Sequence, residues 1–214
     1  MLISGGGTTL KNLLEHIKAG TCRAEVVCVI SSREGVKGLD YPREAGIPWF
    51  VVSRKHFKRT REFSDAVTKI LRQFDPDLVV FGGFLSLYLF PPEYHGRLIN
   101  IHPALLPGFG GKGMYGDHVH EAVLAAGCKV SGCSVHFVDE VYDHGPIIAQ
   151  RVVPVMPEDT VETLRDRVQA VERELYPEVI NWFADGRVHL DGSGKVRIAG
   201  RVPPIISVPG GITP

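Results

Sequence analysis

The chain has 214 residues, 44% hydrophobic and 22% charged, with 24 Lys+Arg against 24 Asp+Glu. A net charge of zero excludes the basic footprint of a nucleic-acid binder and the solvated composition of a disordered acidic chain. The four cysteines (Cys22, Cys28, Cys128, Cys133) form no C-x-x-C pair, so they read as reduced, buried thiols of a cytoplasmic protein with neither zinc nor disulfides.

Leu2-Ile3-Ser4 is the stub of a strand entering Gly5-Gly6-Gly7, and it is short for a central parallel strand. No export signal is expected at this start, and no apolar stretch is long enough for a bilayer. Leu10, Leu13, Leu14 and Ile17 then share a helical face ending at Gly20. Glu25 to Ile30 reads as a buried strand, followed by a short helix up to Gly46 and a strand from Trp49 to Val52. Phe63, Val67, Ile70, Leu71 and Phe74 mark a helix stopped by Pro76, and Leu78 to Phe81 is the next strand. Arg97 to Ile101 is another, ending at His102-Pro103.

The second half changes character. Lys129 to Val138 and Ile147 to Val155 predict an antiparallel pair about Asp143-His144-Gly145-Pro146. A long helix begins near Asp159-Thr160, with Glu162 completing a capping box and Pro177 as a kink. Its apolar stripe is Leu164, Val168, Val171, Leu175, Val179 and Phe183. The predicted class is α/β, an open, mostly parallel, Rossmann-like sheet with helices on both faces and an antiparallel addition in the C-terminal half. Residues 1–186 are expected to form one domain, and residues 187–214 a tail with a hairpin and a loose end.

Three segments can carry chemistry. Gly5-Gly6-Gly7-Thr8-Thr9 joins a strand to a helix start, where converging N–H groups and the helix dipole suit a phosphate. A tight turn with a Thr N-cap explains the same residues equally well. The spacing fits neither a dinucleotide fingerprint nor a Walker loop. Asn100 and His102 point to one side of a strand at its carboxyl end, where open α/β sheets place ligands. There an amide donor and an imidazole can meet a developing oxyanion, although a capped strand end is the simpler reading of Asn100 alone. Asp143 is a turn-former that becomes a proton acceptor if the turn lies over His102, which it would hold cationic.

Weaker signals lie elsewhere. His118 and His120 diverge on a helix and do not make a metal pair. Ser134 and His136 face one side of a strand, as core polar groups or supports of the site. Arg54 to Arg59 reads as a solvated basic face that could also draw an anionic ligand. Gly108, Gly110, Gly111, Gly113 and Gly116 make the following loop a candidate lid.

Ile3-Ser4-Gly5-Gly6-Gly7-Thr8-Thr9-Leu10, Ile99-Asn100-Ile101-His102-Pro103-Ala104-Leu105-Leu106-Pro107, Ser134-Val135-His136-Phe137-Val138 and Asp143-His144-Gly145-Pro146 occur in that order. Together they resemble the folate-dependent formyltransferases, in the branch that acts on glycinamide ribonucleotide. The likeness runs on through Gln169 and Glu172 to Gly186. It implies formyl transfer from 10-formyltetrahydrofolate to the amine of glycinamide ribonucleotide in purine synthesis. The alternatives are a 10-formyltetrahydrofolate hydrolase using the same residues, or a non-catalytic folate- or phosphometabolite-binding module.

By resemblance, Asn100, His102 and Asp143 are catalytic, and no metal takes part. Gly5, Gly6, Gly7, Thr8 and Thr9 would hold the phosphate, with Gln169 and Glu172 on the ribose side. Phe84, Leu85, Ser86 and Val138, Asp139, Glu140, Val141, Tyr142 would line the folate site, with Arg61 reaching its glutamate tail. Thr9 stands where the family often has Asn, and Leu85-Ser86 where some members place Arg. The implied partners are small molecules only, with neither nucleic acid nor membrane, acting on a cytoplasmic monomer or homodimer.

Overall fold

A computed structural model describes residues 1–200. The chain divides into two compact units, one of Met1–Asn100 with Phe137–Tyr142, the other of Ile101–His136 with the residues from Asp143 onward.

The first unit follows the alternating pattern expected of it. Its elements are β1 (Leu2–Ile3), α1 (Thr8–Lys18), β2 (Val29–Ser31), α2 (Asp40–Glu44), β3 (Trp49–Val51), α3 (Thr60–Phe74), β4 (Val79–Gly82) and β5 (Leu98–His102), whose last two residues fall in the second unit. The strands pair in parallel in the order β3-β2-β1-β4-β5. β1 has only two residues, yet both are fully buried and each is paired on both sides, Leu2 with Ile30 and Phe81, Ile3 with Ser31 and Gly82. The stub is therefore a central strand. β2 starts later than expected, because Glu25 is exposed and the ladder to β1 and β3 begins only at Val29–Ile30. The core gathers Leu2, Ile30, Phe63, Val67, Leu71, Phe81 and Leu98 between sheet and helix. α3 ends at Asp75, which takes the left-handed conformation (φ 39°) just before Pro76.

The second unit carries α4 (Asp117–Ala125), β6 (Val130–Phe137, whose last residue falls in the first unit), β7 (Ile147–Pro154), α5 (Val161–Ala184) and a hairpin of β8 (Val188–Leu190) with β9 (Val196–Ile198). The β6–β7 pair is antiparallel as anticipated, and the α/β class with mostly parallel strands is the one found. A glycine is needed at Gly132, where a Cβ would stand 1.9 Å from the Arg151 carbonyl oxygen. The register slips between Val135 and His136, a bulge that re-aims the end of β6. The expected loose end falls on residues 201–214, outside the described residues. No described helix is long and apolar enough to cross a membrane.

α5 runs unbroken through Pro177 and buries Leu164, Val168, Leu175 and Val179, with Tyr176, Ile180 and Trp182 completing its inner face. Val171 and Phe183 are only half-buried. Its cap is Thr160, which bonds Thr163 reciprocally (3.2 and 3.0 Å), rather than the expected Asp159–Glu162 box. Asp159 has a different task. Its side chain, 3% exposed, takes two bonds from the Arg167 guanidinium (2.6 and 2.8 Å) while accepting from Met156 N–H and the Thr163 hydroxyl. That guanidinium is the main reason the Asp159 carboxyl lies well below the usual carboxylate range, against the opposing effect of burial.

A carboxyl whose folded value is depressed stabilises the fold above its ordinary titration range and loses that contribution as acid protonates it. Asp159→Asn should therefore cost about 2 kcal/mol at pH 7 by urea unfolding. The gap to wild type should shrink as pH is lowered through the carboxylate range.

Candidate active site

In the first unit the glycine loop has no room on one side and open space on the other. Gly7, the residue before α1, has φ 71°, and a Cβ there would meet the Gly38 Cα at 2.6 Å. The two backbones touch, and Gly38 N–H donates to Gly5 O at 3.1 Å. Gly5 and Gly6 face nothing within 4 Å. The expected Thr cap is absent: Gly7 is the cap residue, no side chain bonds the helix start, and Thr8 and Thr9 are the first helical residues. Lys11 N–H is the first to bond back, to Gly7 O at 2.9 Å. No acidic residue occupies the first turn. A helix start left in this state suits an anion.

Ser4, whose role the sequence reading did not identify, braces the loop. Its hydroxyl meets the Ser32 hydroxyl at 2.6 Å and accepts from Leu85 N–H at 2.9 Å. This bond fastens the glycine loop to Phe84-Leu85-Ser86. Phe84 is buried, stacked on Phe63 (6.2 Å) and edge-on to Phe81 (5.2 Å), while Leu85 and Ser86 are half-buried. Arg61 is exposed and donates to Leu89 O at 3.2 Å. In the 138–142 segment Val138 N–H donates to Leu98 O (3.0 Å), and Asp139 accepts from Val141 N–H (2.8 Å). Glu140 and Val141 are exposed there, and Tyr142 is half-buried. Within the basic run, Lys55 and His56 face Glu34 (2.8 and 3.3 Å), and Arg54 donates to Phe57 O and lies over the Phe63 ring.

Asn100 is half-buried on β5 between fully enclosed Ile99 and well-buried Ile101. Two residues on, His102 is 3% exposed and belongs to the second unit, which also holds Asp143, Gln169 and Glu172. There the expected imidazole–carboxylate meeting is present. His102 Nδ1 lies 3.5 Å from Asp143 Oδ2, and His136 Nε2 lies 3.7 Å from Asp143 Oδ1. Asp143 itself takes φ 54°, a left-handed conformation that Asp tolerates better than most residues. Two further partners come from the glycine-rich loop. His102 Nε2–H donates to Phe109 O at 2.8 Å, and Gly111 N–H donates to Asp143 Oδ2 at 3.0 Å. Main-chain groups leave no signature in the sequence, so neither partner was legible there.

These contacts set the protonation states. Burial alone would raise the Asp143 carboxyl, but His136, His102 and the Gly111 N–H outweigh it and keep it below its ordinary value. For His102 burial wins: it pulls the imidazole below its ordinary value, against the Asp143 carboxylate and the Phe109 carbonyl. Burial therefore opposes the cationic His102 that the neighbouring carboxylate favours.

Ser134 holds the turn after His102, donating to Ala104 O (2.7 Å) and accepting from Leu106 N–H (3.0 Å) and the Gln150 amide (2.9 Å). His118 is exposed beside Glu121 (3.3 Å), while His120 is buried, so the two share no ligand. Among the described residues no His, Cys, Asp or Glu group is arranged to hold a metal. On α5 the Gln169 amide oxygen accepts from Arg173 at 3.3 Å. Glu172 is half-buried, and burial pushes its carboxyl up to about 7.

Comparison with known proteins places the chain in a family. The family profile described as formyl transferase matches residues 1–180. The trifunctional purine biosynthetic protein adenosine-3 of Gallus gallus is 41% identical over 198 residues, covering 92% of this chain and 19% of that protein. The phosphoribosylglycinamide formyltransferase of Haemophilus influenzae is 36% identical over 192 residues, covering 89% of this chain and 88% of that one. A solved phosphoribosylglycinamide formyltransferase in complex with CHES, from Coxiella burnetii, superposes with a TM-score of 0.86 at 39% identity, covering 94% of this chain and 92% of that one. The chain thus spans about a fifth of the trifunctional relative it matches. With the profile extending over 180 of its 214 residues, it belongs to the formyl transferase family.

Proposed function

We propose that this protein transfers the formyl group of 10-formyltetrahydrofolate to the primary amine of glycinamide ribonucleotide, a step of de novo purine (IMP) synthesis. The observation that carries the reading is the Asp143 carboxylate facing the buried His102 ring at 3.5 Å, in a chain of this family. The reading includes two small-molecule substrates and no metal. It also includes a cytoplasmic monomer or homodimer, acting away from nucleic acid and membrane.

In this reading the uncapped start of α1, with Gly5, Gly6, Gly7, Thr8 and Thr9, takes the phosphate. Gln169 and Glu172 take the ribose. Phe84, Leu85, Ser86 and the 138–142 segment (Val138, Asp139, Glu140, Val141, Tyr142) take the folate, with Arg61 toward its tail. The substrate amine attacks the formyl carbon, and negative charge gathers on the formyl oxygen. Asn100 donates its amide N–H to that oxygen. The proton shed by the amine enters the Asp143–His102 pair, which holds positive charge beside the oxyanion. Collapse of the oxyanion breaks the bond to N10 of the folate, which leaves with a proton.

One oxyanion donor is worth about 3–4 kcal/mol of barrier. Asn100→Ala and His102→Ala should each lower kcat by about a hundredfold or more, with little change in phosphate affinity. Asp143→Asn should abolish transfer while both ligands still bind. Adding glycinamide ribonucleotide should accelerate tetrahydrofolate release in an absorbance assay. An unchanged rate would identify a hydrolase instead, and binding of both ligands without turnover a binding module.

Two predictions follow from the electrostatics. Removing the carboxylate that favours imidazolium means Asp143→Asn should move the His102 midpoint further down in an NMR titration. Glu172 has a raised folded value, so its contribution is present at acid pH and is lost as pH rises through about 7. Glu172→Gln should be more stable than wild type at pH 8.5, by on the order of 1–3 kcal/mol, with no such gain at pH 5.

A further inference from the structure

The strands of the first unit lie in the order β3-β2-β1-β4-β5, so the chain steps from β1 to β2 and β3 on one side and then returns to place β4 on the other. In an open α/β sheet ligands settle at the carboxyl ends of the strands where this reversal falls. Two segments leave the sheet there, residues 4–7 after β1 and residues 83–86 after β4. A hydrogen bond joins them across 81 positions of sequence: Leu85 N–H donates to Ser4 Oγ at 2.9 Å.

Packing does not ask for a hydroxyl at this place. Ser4 is 1% exposed and follows Leu2 and Ile3, both fully enclosed. A polar group so deep is costly unless its bonds are met, and an apolar side chain is the simpler filler. Ser4 meets its bonds with Leu85 N–H on one side and the buried Ser32 hydroxyl at 2.6 Å on the other. What the hydroxyl adds is orientation. A trans peptide sends its N–H and C=O in opposite directions, so holding Leu85 N–H turns Phe84 C=O away from Ser4. The Phe84 ring, stacked on Phe63 and edge-on to Phe81, anchors the side chain but not the peptide plane after it. Gly83 before it, with φ 68° and nothing within 4 Å of a Cβ, adds no wall.

We infer that Ser4 is a positioning residue for the folate: its hydroxyl selects the orientation of the Phe84–Leu85 peptide, a main-chain edge offered to the donors and acceptors of the pterin ring. The inference rests on the folate reading of Phe84, Leu85 and Ser86 given above. In this role Ser4 acts through Leu85 and not by contact with a substrate. The glycine loop beside it keeps its own brace, Gly38 N–H on Gly5 O at 3.1 Å, so the effect falls on the folate and spares the ribonucleotide.

Ser4→Ala and Ser32→Ala each remove one half of the same buried hydroxyl pair, and each leaves the other half short of a partner. Only Ser4→Ala releases Leu85. Ser4→Ala should raise the KM for 10-formyltetrahydrofolate about tenfold, with kcat and the KM for glycinamide ribonucleotide within about twofold of wild type. Ser32→Ala should keep all three values within about twofold. By calorimetry, tetrahydrofolate alone should bind Ser4→Ala about tenfold more weakly than wild type, and Ser32→Ala as tightly as wild type. Equal losses in the two variants, or a folate KM that Ser4→Ala leaves in place, would reveal a pair that only packs the strand ends and would overturn the inference. In wild type, saturating tetrahydrofolate should slow exchange of the Leu85 amide with deuterated water by about tenfold or more. The reference is Leu89 N–H in the same segment, which Ser64 Oγ holds at 2.9 Å. A Leu85 rate that does not slow relative to Leu89 overturns the inference even where neither variant folds. Should wild type bind tetrahydrofolate in this way and yet pass no formyl group to the ribonucleotide, the proposed function fails and the inference stands.

Discussion

Asp143 carries a negative charge into a largely enclosed position, where one main-chain N–H and two imidazole rings face it. Gly111 N–H stands at 3.0 Å, His102 Nδ1 at 3.5 Å and His136 Nε2 at 3.7 Å. Without them burial would push the carboxyl toward its neutral form and remove a proton acceptor. Much of the second unit serves this one group. The register slip in β6–β7 falls at His136, the turn at Asp143 takes a left-handed backbone, and the missing side chain of Gly110 lets the Phe109–Gly111 backbone lie against Asp143. The opposed shifts of Asp143 and His102 are one arrangement seen from two sides. The carboxylate is held ionised by its neighbours, and burial works against charge on the imidazole.

The two glycine-rich segments use glycine for the same steric reason and opposite chemical ends. At Gly7 and Gly38 the missing side chains let two backbones touch, and the result is a helix start whose N–H groups have no side-chain cap. At Gly110 the missing side chain lets a backbone touch the catalytic candidates, offering them one carbonyl and one N–H. The first segment leaves a helix start whose dipole suits an anion. The second supplies groups that would otherwise have to come from side chains.

The sequence made the side-chain part of this legible. Asn100 and His102, two apart on a strand, and Asp143 in the turn between two apolar runs were identifiable because residue type and period both pointed to them. Helix positions followed from apolar spacing, as at Leu164, Val168, Leu175 and Val179. What escaped has a common cause. Phe109 O and Gly111 N–H are main-chain groups that every residue possesses, so no residue type announces them. Ser4 looks like any serine at a strand end until Leu85 N–H and Ser32 converge on it from distant parts of the chain. The start of β2 moved to Val29 because pairing decides where a strand begins, and hydrophobicity at Val26 and Val27 does not. The balance of effects at His102 escaped for a related reason. A neighbouring carboxylate can be guessed from sequence, whereas the depth of burial that outweighs it cannot.

That depth also bears on why the site tolerates such cost. A buried imidazole and a buried ionised carboxylate each weaken the fold relative to apolar residues of the same size, unless their hydrogen-bonding groups are met. Here the Nε2–H has Phe109 O and the carboxylate has Gly111 N–H, so the main cost of burial is offset by main-chain partners that cannot themselves titrate.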